Sequence, residues 1–271
     1  MLNKNTQMCI SLSSRPSNLG MTLHNSAYAA LGLNFIYKAF EVTDLAGALS
    51  GVRGLNIRGC SVSMPYKEVV LPLLDELDET ARVIGAVNTI VNDSGRLKGY
   101  NTDQAGAIKA LEYIGAKPGC KVLLLGAGGV ARAIMFALRQ MGFSQVQVSI
   151  RDPKKIQSLD SILPCEMVPW ECRNKVETEL LINATSIGMS PDIKQCPVDI
   201  AFVREVRAVM DVVASPLESF LIKTALSYGK DAAPGYIMSL EQMSEQFRLY
   251  TGFVPPRDLI EQHIKNSLLV K

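Results

Sequence analysis

"KVLLLGAGGVARAIMFALRQMG", residues 121–142, decides the fold. The apolar run VLLL is short enough for a fully buried strand, and a helix-period pattern begins directly on the glycines after it. In "GAGGVA" (126–131) Gly126 suits a tight turn, Gly128 lets the backbone approach a pyrophosphate, and Ala131 permits close helix–strand packing in the third-glycine position. A helix N-terminus adds free N–H groups and the positive end of its dipole. The loop and first turn, Gly126, Ala127, Gly128, Gly129 and Val130, therefore read as a dinucleotide-phosphate cradle. A G-x-G-x-x-A string alone is weak evidence. Here a strand precedes it, a helix follows it, and another strand lies about twenty residues on. The competing reading is a tight βα turn that binds nothing.

That next strand, "QVQVSIRD" (145–152), ends in "SIRDPKK". An NAD-type site carries Asp or Glu at the strand tip for the ribose 2′-hydroxyl; here the tip is Arg151, whose guanidinium can stack on adenine and pair with a 2′-phosphate. Lys154 or Lys155 can add a second positive charge. Asp152 would repel a 2′-phosphate, unless its carboxylate caps a helix beginning at Pro153. NADP is favoured over NAD.

Working outward, 153–163 reads as a helix, and "ELLINATSIGM" (179–189) and "AVMDVV" (208–213) as further strands. This alternation predicts a parallel sheet. Upstream, helices are expected over 27–35 and 45–55, and strands over 35–42 and 57–64. A Pro-interrupted helix is expected over 67–85, a hairpin over 86–103 and an amphipathic helix over 104–115. The tail gives two helices, 238–252 and 256–270, with no strand to follow them; packed back on the N-terminal region, they would make that domain discontinuous.

The 271 residues suit two medium domains, and 48% hydrophobic residues suffice for a full core. A net charge of +2 without long like-charge blocks gives no electrostatic case for nucleic acid or an acidic membrane, so a small-molecule partner is expected. The six cysteines form no C-x-x-C pair and the two histidines, His24 and His263, lie far apart, which argues against a metal site. "MLNKNTQMCISLSS" lacks an uninterrupted signal-type apolar run, and no run reaches the ~18 residues of a membrane span. A reducing, cytoplasmic compartment is expected.

Beside a coenzyme domain the chemistry needs a substrate. Ser61, Ser63, Lys67, Asn88, Thr102 and Asp103 all fall at or just after predicted strand ends, where sites in open α/β proteins gather. Lysine and carboxylate suit hydroxyl oxidation: one group accepts the alcohol proton while hydride leaves carbon, and the other orients it. A lysine shielded from water sheds its proton more readily. Singly, each residue has an ordinary alternative, Lys67 as a surface lysine and Asn88 and Asp103 as turn or cap residues.

Six motifs in order, "SVSMPYKE" (61–68), "GAVNT" (85–89), "NTD" (101–103), "LLGAGGVAR" (124–132), "INATSIGM" (182–189) and "GYIMSLEQ" (235–242), resemble those of the shikimate dehydrogenase family along nearly the whole chain. The resemblance implies reversible oxidation of shikimate to 3-dehydroshikimate with NADP, with quinate or NAD accepted by some members. It implies an α/β protein of two domains with the active site in the cleft between them. One is a discontinuous substrate domain, 1–104 plus 238–271; the other is a Rossmann-type NADP-binding domain, 105–237. The family's Lys–Asp pair maps onto Lys67 and Asp103, and its substrate contacts onto Ser63, Asn88 and Gln242. Its coenzyme contacts map onto the glycine loop, Arg151, Lys155, Asn183, Thr185, Met189, Val213 and Gly235. A monomer or homodimer is expected.

The chain departs from the family at the carboxylate-holding segment. Where the family has Ser-x-Ser-Pro, anchoring on "LHN" (23–25) puts Asn18, Leu19, Gly20 and Met21. Asn18 and Gly20 then stand in for two hydroxyl donors; each lost charge-assisted hydrogen bond is worth on the order of 1.5–3 kcal/mol, roughly ten- to a hundredfold in affinity. Aligning Ser13 or Ser14 there instead requires a gap. Ser61 replaces the usual Asn, and Ala214 or a neighbour replaces a substrate-facing Tyr. The expectation is weak activity on shikimate. The alternatives are a quinate/shikimate dehydrogenase with broader coenzyme use and a non-catalytic NADP(H)-binding regulator.

Overall fold

The computed structural model describes residues 2–269. Met1, Val270 and Lys271, which fall in the expected domain and tail-helix ranges, lie outside the described residues. The chain divides into two compact units.

The first unit comprises 1–102 together with 242–267. Its strands are β1 (Gln7–Ser13), β2 (Phe35–Glu41), β3 (Gly59–Val62), β4 (Glu76–Leu77), β5 (Thr89–Asp93) and β6 (Arg96–Tyr100), in the order β2-β1-β3-β5-β6-β4. β1 runs parallel to β2 and β3, and β5 antiparallel to β3 and β6. Helices α1 (Leu19–Ala30), α2 (Leu45–Gly54), α3 (Tyr66–Val69) and α4 (Glu79–Ile84) connect them. Ile10, Leu12, Val52, Cys60, Ile90 and Leu97 are among the buried core residues. Ser94 (φ 54°) and Gly95 (φ 91°) make the two-residue hairpin turn between β5 and β6.

Two expectations change here. The helix expected over 27–35 starts at Leu19 and ends at Ala30. The helix expected over 67–85 is broken into α3, a 3₁₀ turn, β4 and α4. Pro72 lacks an N–H for helix continuation. Asp75 accepts the Leu97 N–H at 2.6 Å, drawing the chain alongside β6, and Asp78 restarts a helix by accepting the Thr80 N–H at 2.8 Å. Strand β1 is an addition to the sequence reading. It is paired on both sides and has no strict polar–apolar alternation to advertise it.

The second unit is Asp103–Glu241 with the C-terminal residues from Leu268. It contains α5 (Asp103–Tyr113), β7 (Val122–Leu125), α6 (Gly129–Gln140), β8 (Val146–Ile150), α7 (Gln157–Asp160), β9 (Glu166–Pro169) and β10 (Leu180–Asn183). It continues through α8 (Ile200–Glu205), β11 (Ala208–Asp211), α9 (Phe220–Ser227) and β12 (Asp231–Ala233). All strand pairs are parallel, in the order β12-β11-β10-β7-β8-β9. Read from β9, this is the doubly wound Rossmann order, and the glycine loop after β7 sits where the winding reverses toward β10. The protein is therefore α/β with a Rossmann-type second unit. The helix expected over 153–163 shortens to a 3₁₀ turn and α7, and the strand expected over 179–189 ends at Asn183.

α10 (Gly235–Thr251) starts in the second unit and continues into the first, followed by α11 (Arg257–Leu269). Within the first unit α10 lies close on β3: a Cβ on Gly59 would stand 2.3 Å from the Tyr250 ring, and Arg58 Nε donates to the Tyr250 carbonyl at 3.0 Å. Among the described residues no helix is long and apolar enough to cross a membrane, and no three His, Cys, Asp or Glu side chains are grouped to hold a metal ion.

Candidate active site

In the second unit the ends of β7, β8 and β10 surround a cavity of about 250 Å³. Gly126, Ala127, Gly128, Arg151, Lys155 and Thr185 line it, together with Trp170 and the 184–187 loop. Gly126 has φ +108°, and a Cβ there would lie 2.9 Å from the Ala184 carbonyl oxygen, so the turn itself requires glycine. Gly128 differs. Its φ of −79° suits any residue, and an added Cβ meets nothing within 4 Å. The protein's own packing does not require glycine there, and the open space at the start of α6 has room for a phosphate to approach the backbone. Gly129 and Val130 form the first turn of that helix, whose N-terminal dipole favours an anion. Arg151 and Lys155 are exposed and supply positive charge. Asp152 accepts the Lys154 N–H at 3.2 Å as the cap of its 3₁₀ turn, which gives this carboxylate a structural role. These residues fit a phosphorylated dinucleotide.

Asn183 and Met189 do not line this cavity. Asn183 is fully buried. Its Nδ2 donates to Asp211 Oδ1 at 2.9 Å, and its Oδ1 accepts the Thr185 N–H and hydroxyl at 3.1 and 2.7 Å. It shapes the loop that carries Thr185. Asp211 also accepts from the Val213 N–H at 3.0 Å and the Ser219 hydroxyl at 2.5 Å; burial pushes its carboxyl up to about 6. Gly235 packs directly on the Val213 backbone, where a Cβ would come within 2.5 Å of the carbonyl carbon, so these two predicted residues lie together. Met189 is exposed.

In the first unit the strand ends gather polar groups. Ser63 follows β3, its N–H bonded to the Leu12 carbonyl at 3.1 Å, and the Ser14 hydroxyl reaches the Met64 carbonyl at 3.4 Å. Lys67 is half-buried on α3, and its carbonyl accepts the Val87 N–H at 2.7 Å, which ties it to the residue before Asn88. Asn88 is 2% exposed, and its Oδ1 accepts the Thr102 N–H at 2.9 Å and the Thr89 hydroxyl at 2.9 Å. The backbone donor fixes which end of the amide is oxygen. Thr102 precedes Asp103, a buried carboxylate at the start of α5. Lys67, Asn88 and the residue preceding Asp103 are thus joined through one main-chain bond and one bond to the Asn88 side chain.

Gln242 is half-buried on α10. One turn on, the buried Gln246 donates to Thr89 Oγ1 at 2.9 Å and to the Asn88 carbonyl at 3.3 Å. Its Oε1 is left as acceptor, so His24 Nε2 donates to it at 3.2 Å. His24 stacks on Tyr37 with ring centroids 4.4 Å apart, and burial pushes it down to about 4. Tyr37 bonds Ser61 through their hydroxyls. Gly20 lies over the Tyr37 ring, and an added Cβ would touch it at 3.4 Å. Asn18 is the exposed N-cap residue of α1 and makes no side-chain cap bond. Gln246, His24 and Trp170 were not anticipated as site residues. The four-residue spacing of Gln246 from Gln242 was the one available signal.

The glycine loop at the winding switch puts the second unit in the Rossmann class of dinucleotide-binding folds. Comparison with known proteins narrows the class. A sequence model described as the shikimate dehydrogenase substrate binding domain matches residues 17–90. The chain is 41% identical over 264 residues to a shikimate dehydrogenase-like protein of Haemophilus influenzae, covering 97% of each. It is 37% identical to a shikimate dehydrogenase (NADP(+)) of Moorella thermoacetica, covering 93% of this chain and 90% of that one. A shikimate 5-dehydrogenase of Thermus thermophilus, solved in complex with NADP(H) and shikimate, superposes with a TM-score of 0.86 at 33% identity; 99% of this chain and 100% of that chain are covered. The chain belongs to the shikimate dehydrogenase family.

Proposed function

We propose that the protein is an NADP-dependent dehydrogenase that interconverts a ring hydroxyl and its ketone in shikimate or a similar hydroxylated ring carboxylic acid. The observation that carries the coenzyme half is the cavity lined by Gly128, Arg151 and Lys155, where glycine serves an incoming ligand and the cations suit a 2′-phosphate. Two relatives support the pairing: a shikimate dehydrogenase (NADP(+)) at 37% identity, and a 33%-identical shikimate 5-dehydrogenase solved with NADP(H) and shikimate.

Gly126, Ala127, Gly128, Gly129, Val130, Thr185, Arg151 and Lys155 would hold the dinucleotide, with Val213 and Gly235 toward its nicotinamide end. Bound there, NADP would supply the acceptor for the hydride of the carbinol carbon, and its reduced form the donor in the reverse direction. Lys67 and Asp103 share the reacting hydroxyl: one receives its proton as the oxygen electron pair closes the C=O bond, and the other orients it. Ser63, Asn88 and Gln242 hold the remaining hydroxyls. Asn88 suits this role because its carbonyl is held by backbone, which fixes the direction of its amide donor. Asn183 and Met189 act indirectly in this reading.

Asn18 and Gly20 offer one amide and bare backbone where two hydroxyls would grip a carboxylate, so activity on shikimate itself is weak. The same segment favours a second reading, a protein that binds NADP(H) without turnover. Assaying shikimate, quinate and related acids with NADP+ and NAD+ tests both. Slow NADP+ reduction by shikimate or a relative supports the dehydrogenase. Tight NADPH binding with no reduction by any of these acids supports the second reading and overturns the first.

A further inference from the structure

Trp170 is the chain's only tryptophan. It follows β9 and lines the same cavity as Arg151, Lys155 and the glycine loop. Arg173 holds it: its guanidinium lies over the indole 4.4 Å from the ring centroid and donates to the Trp170 carbonyl at 2.7 Å. Arg173 is itself fixed by a bond from Nε to the Pro197 carbonyl at 2.6 Å. Trp170 also packs against the apolar core of the second unit. The indole is thus fastened by core, backbone and cation at the wall of the cavity.

We propose that Trp170 is a binding wall of the coenzyme site and stacks on the adenine of the dinucleotide, while Arg151 and Lys155 read the 2′-phosphate. The proposal rests on the NADP reading given above and adds a division of labour within it. A clamped aromatic ring loses little further freedom on binding a planar base, and stacking does not depend on phosphate charge. The indole therefore serves NADP and NAD alike, and discrimination between them is left to Arg151 and Lys155. The alternative is that Trp170 merely covers the core.

The test exploits the single tryptophan. The full-length protein is titrated with 2′,5′-ADP, which lacks nicotinamide and does not absorb Trp emission, while binding is followed in parallel by calorimetry. The expected result is a saturable change in Trp emission with the calorimetric Kd. Trp170→Leu should then weaken 2′,5′-ADP, NADP+ and NAD+ together by about 5- to 100-fold. Trp170→Phe should restore affinity to within about threefold, because it keeps a π-face. Calorimetric binding without any emission change, or unaltered affinity in a folded Trp170→Leu protein, overturns the assignment and leaves the NADP reading standing. If the unsubstituted protein binds none of the three nucleotides, the NADP reading fails and the Trp170 assignment with it. Should Trp170→Leu not fold, judged by its thermal melt, the emission response of the unsubstituted protein decides alone.

Discussion

Asn88 and Thr102 are locked together: the Asn88 side-chain carbonyl accepts the Thr102 backbone N–H at 2.9 Å and the Thr102 hydroxyl at 3.2 Å. Both residues are buried, and Asp103 follows directly. Asn88→Ala would strand the Thr102 N–H without its acceptor. The expected cost is about 1–3 kcal/mol of stability, read as a lower urea midpoint, together with a fall in kcat/KM as Asp103 loses its support. A variant with wild-type kcat/KM would separate this bond from catalysis.

Lys67 carries the proton-transfer proposal. Lys67→Ala should lower kcat by about 10²- to 10⁴-fold with a smaller change in KM, since the group acts as the hydroxyl proton moves. Steady-state kinetics at saturating coenzyme reads both. Unchanged turnover would remove Lys67 from the mechanism.

Arg151 makes a contrasting prediction to Trp170. Arg151→Gln should weaken NADP by roughly ten- to a hundredfold, the worth of a charge-assisted hydrogen bond, and leave NAD nearly unaffected. Kd values for both coenzymes check it. Equal losses would mean that Arg151 does not read the 2′-phosphate.

The two glycines of the loop should fail in different ways. Gly126→Ala combines a positive φ with a Cβ 2.9 Å from a backbone oxygen, so it should destabilise the second unit by about 1–3 kcal/mol. Gly128→Ala has neither problem; it should melt like the wild type yet bind NADP about tenfold more weakly, since the new methyl occupies the phosphate approach. Melting curves and coenzyme titrations of the pair distinguish a fold glycine from a ligand glycine.

Two of the buried titratable groups, His24 and Asp211, give opposite pH slopes. His24 sits at about 4, below its ordinary 6.5, because burial disfavours the imidazolium; its stabilising contribution is full above pH 6.5 and is lost as pH falls through 4. Asp211 sits at about 6, above its ordinary 3.8, because burial disfavours the carboxylate; its contribution is full below pH 3.8 and is lost as pH rises through 6. Each effect is worth up to about 3 kcal/mol. Acidification from pH 6.5 toward 4 should therefore weaken the first unit and strengthen the second. Hydrogen-exchange protection measured unit by unit reads this, and Asp211→Asn should flatten the second slope alone.

Local chemistry was legible in the sequence and long-range chemistry was not. The glycine loop declares itself because turn, phosphate approach and helix start are contiguous residues. The Pro interruption within 67–85 was legible but the strand β4 inside it was not, because the pull on Asp75 comes from Leu97 N–H, 22 residues away. Trp170 lies in a short 3₁₀ turn with no periodicity, and only the fold brings it to the cavity of Gly128. Asn183 was read as a coenzyme contact from its motif. Its side chain bonds Asp211, a partner that only strand pairing supplies, and Thr185, two residues on.

The Gln246 bonds also bear on how the chain is made. His24 and Gln246 are 222 residues apart, and Arg58 reaches the Tyr250 carbonyl across 192. The ribosome must therefore complete the whole second unit before it delivers the helix that fills the polar floor of the first. At roughly 5–20 residues per second the N-terminal strands wait on the order of ten seconds with His24, Thr89 and the Asn88 carbonyl lacking their Gln246 partner. The Rossmann sheet, all of whose strands lie within 103–241, has no such wait. The piece of this protein most exposed to chaperones and proteases during synthesis is thus the one proposed to hold the substrate.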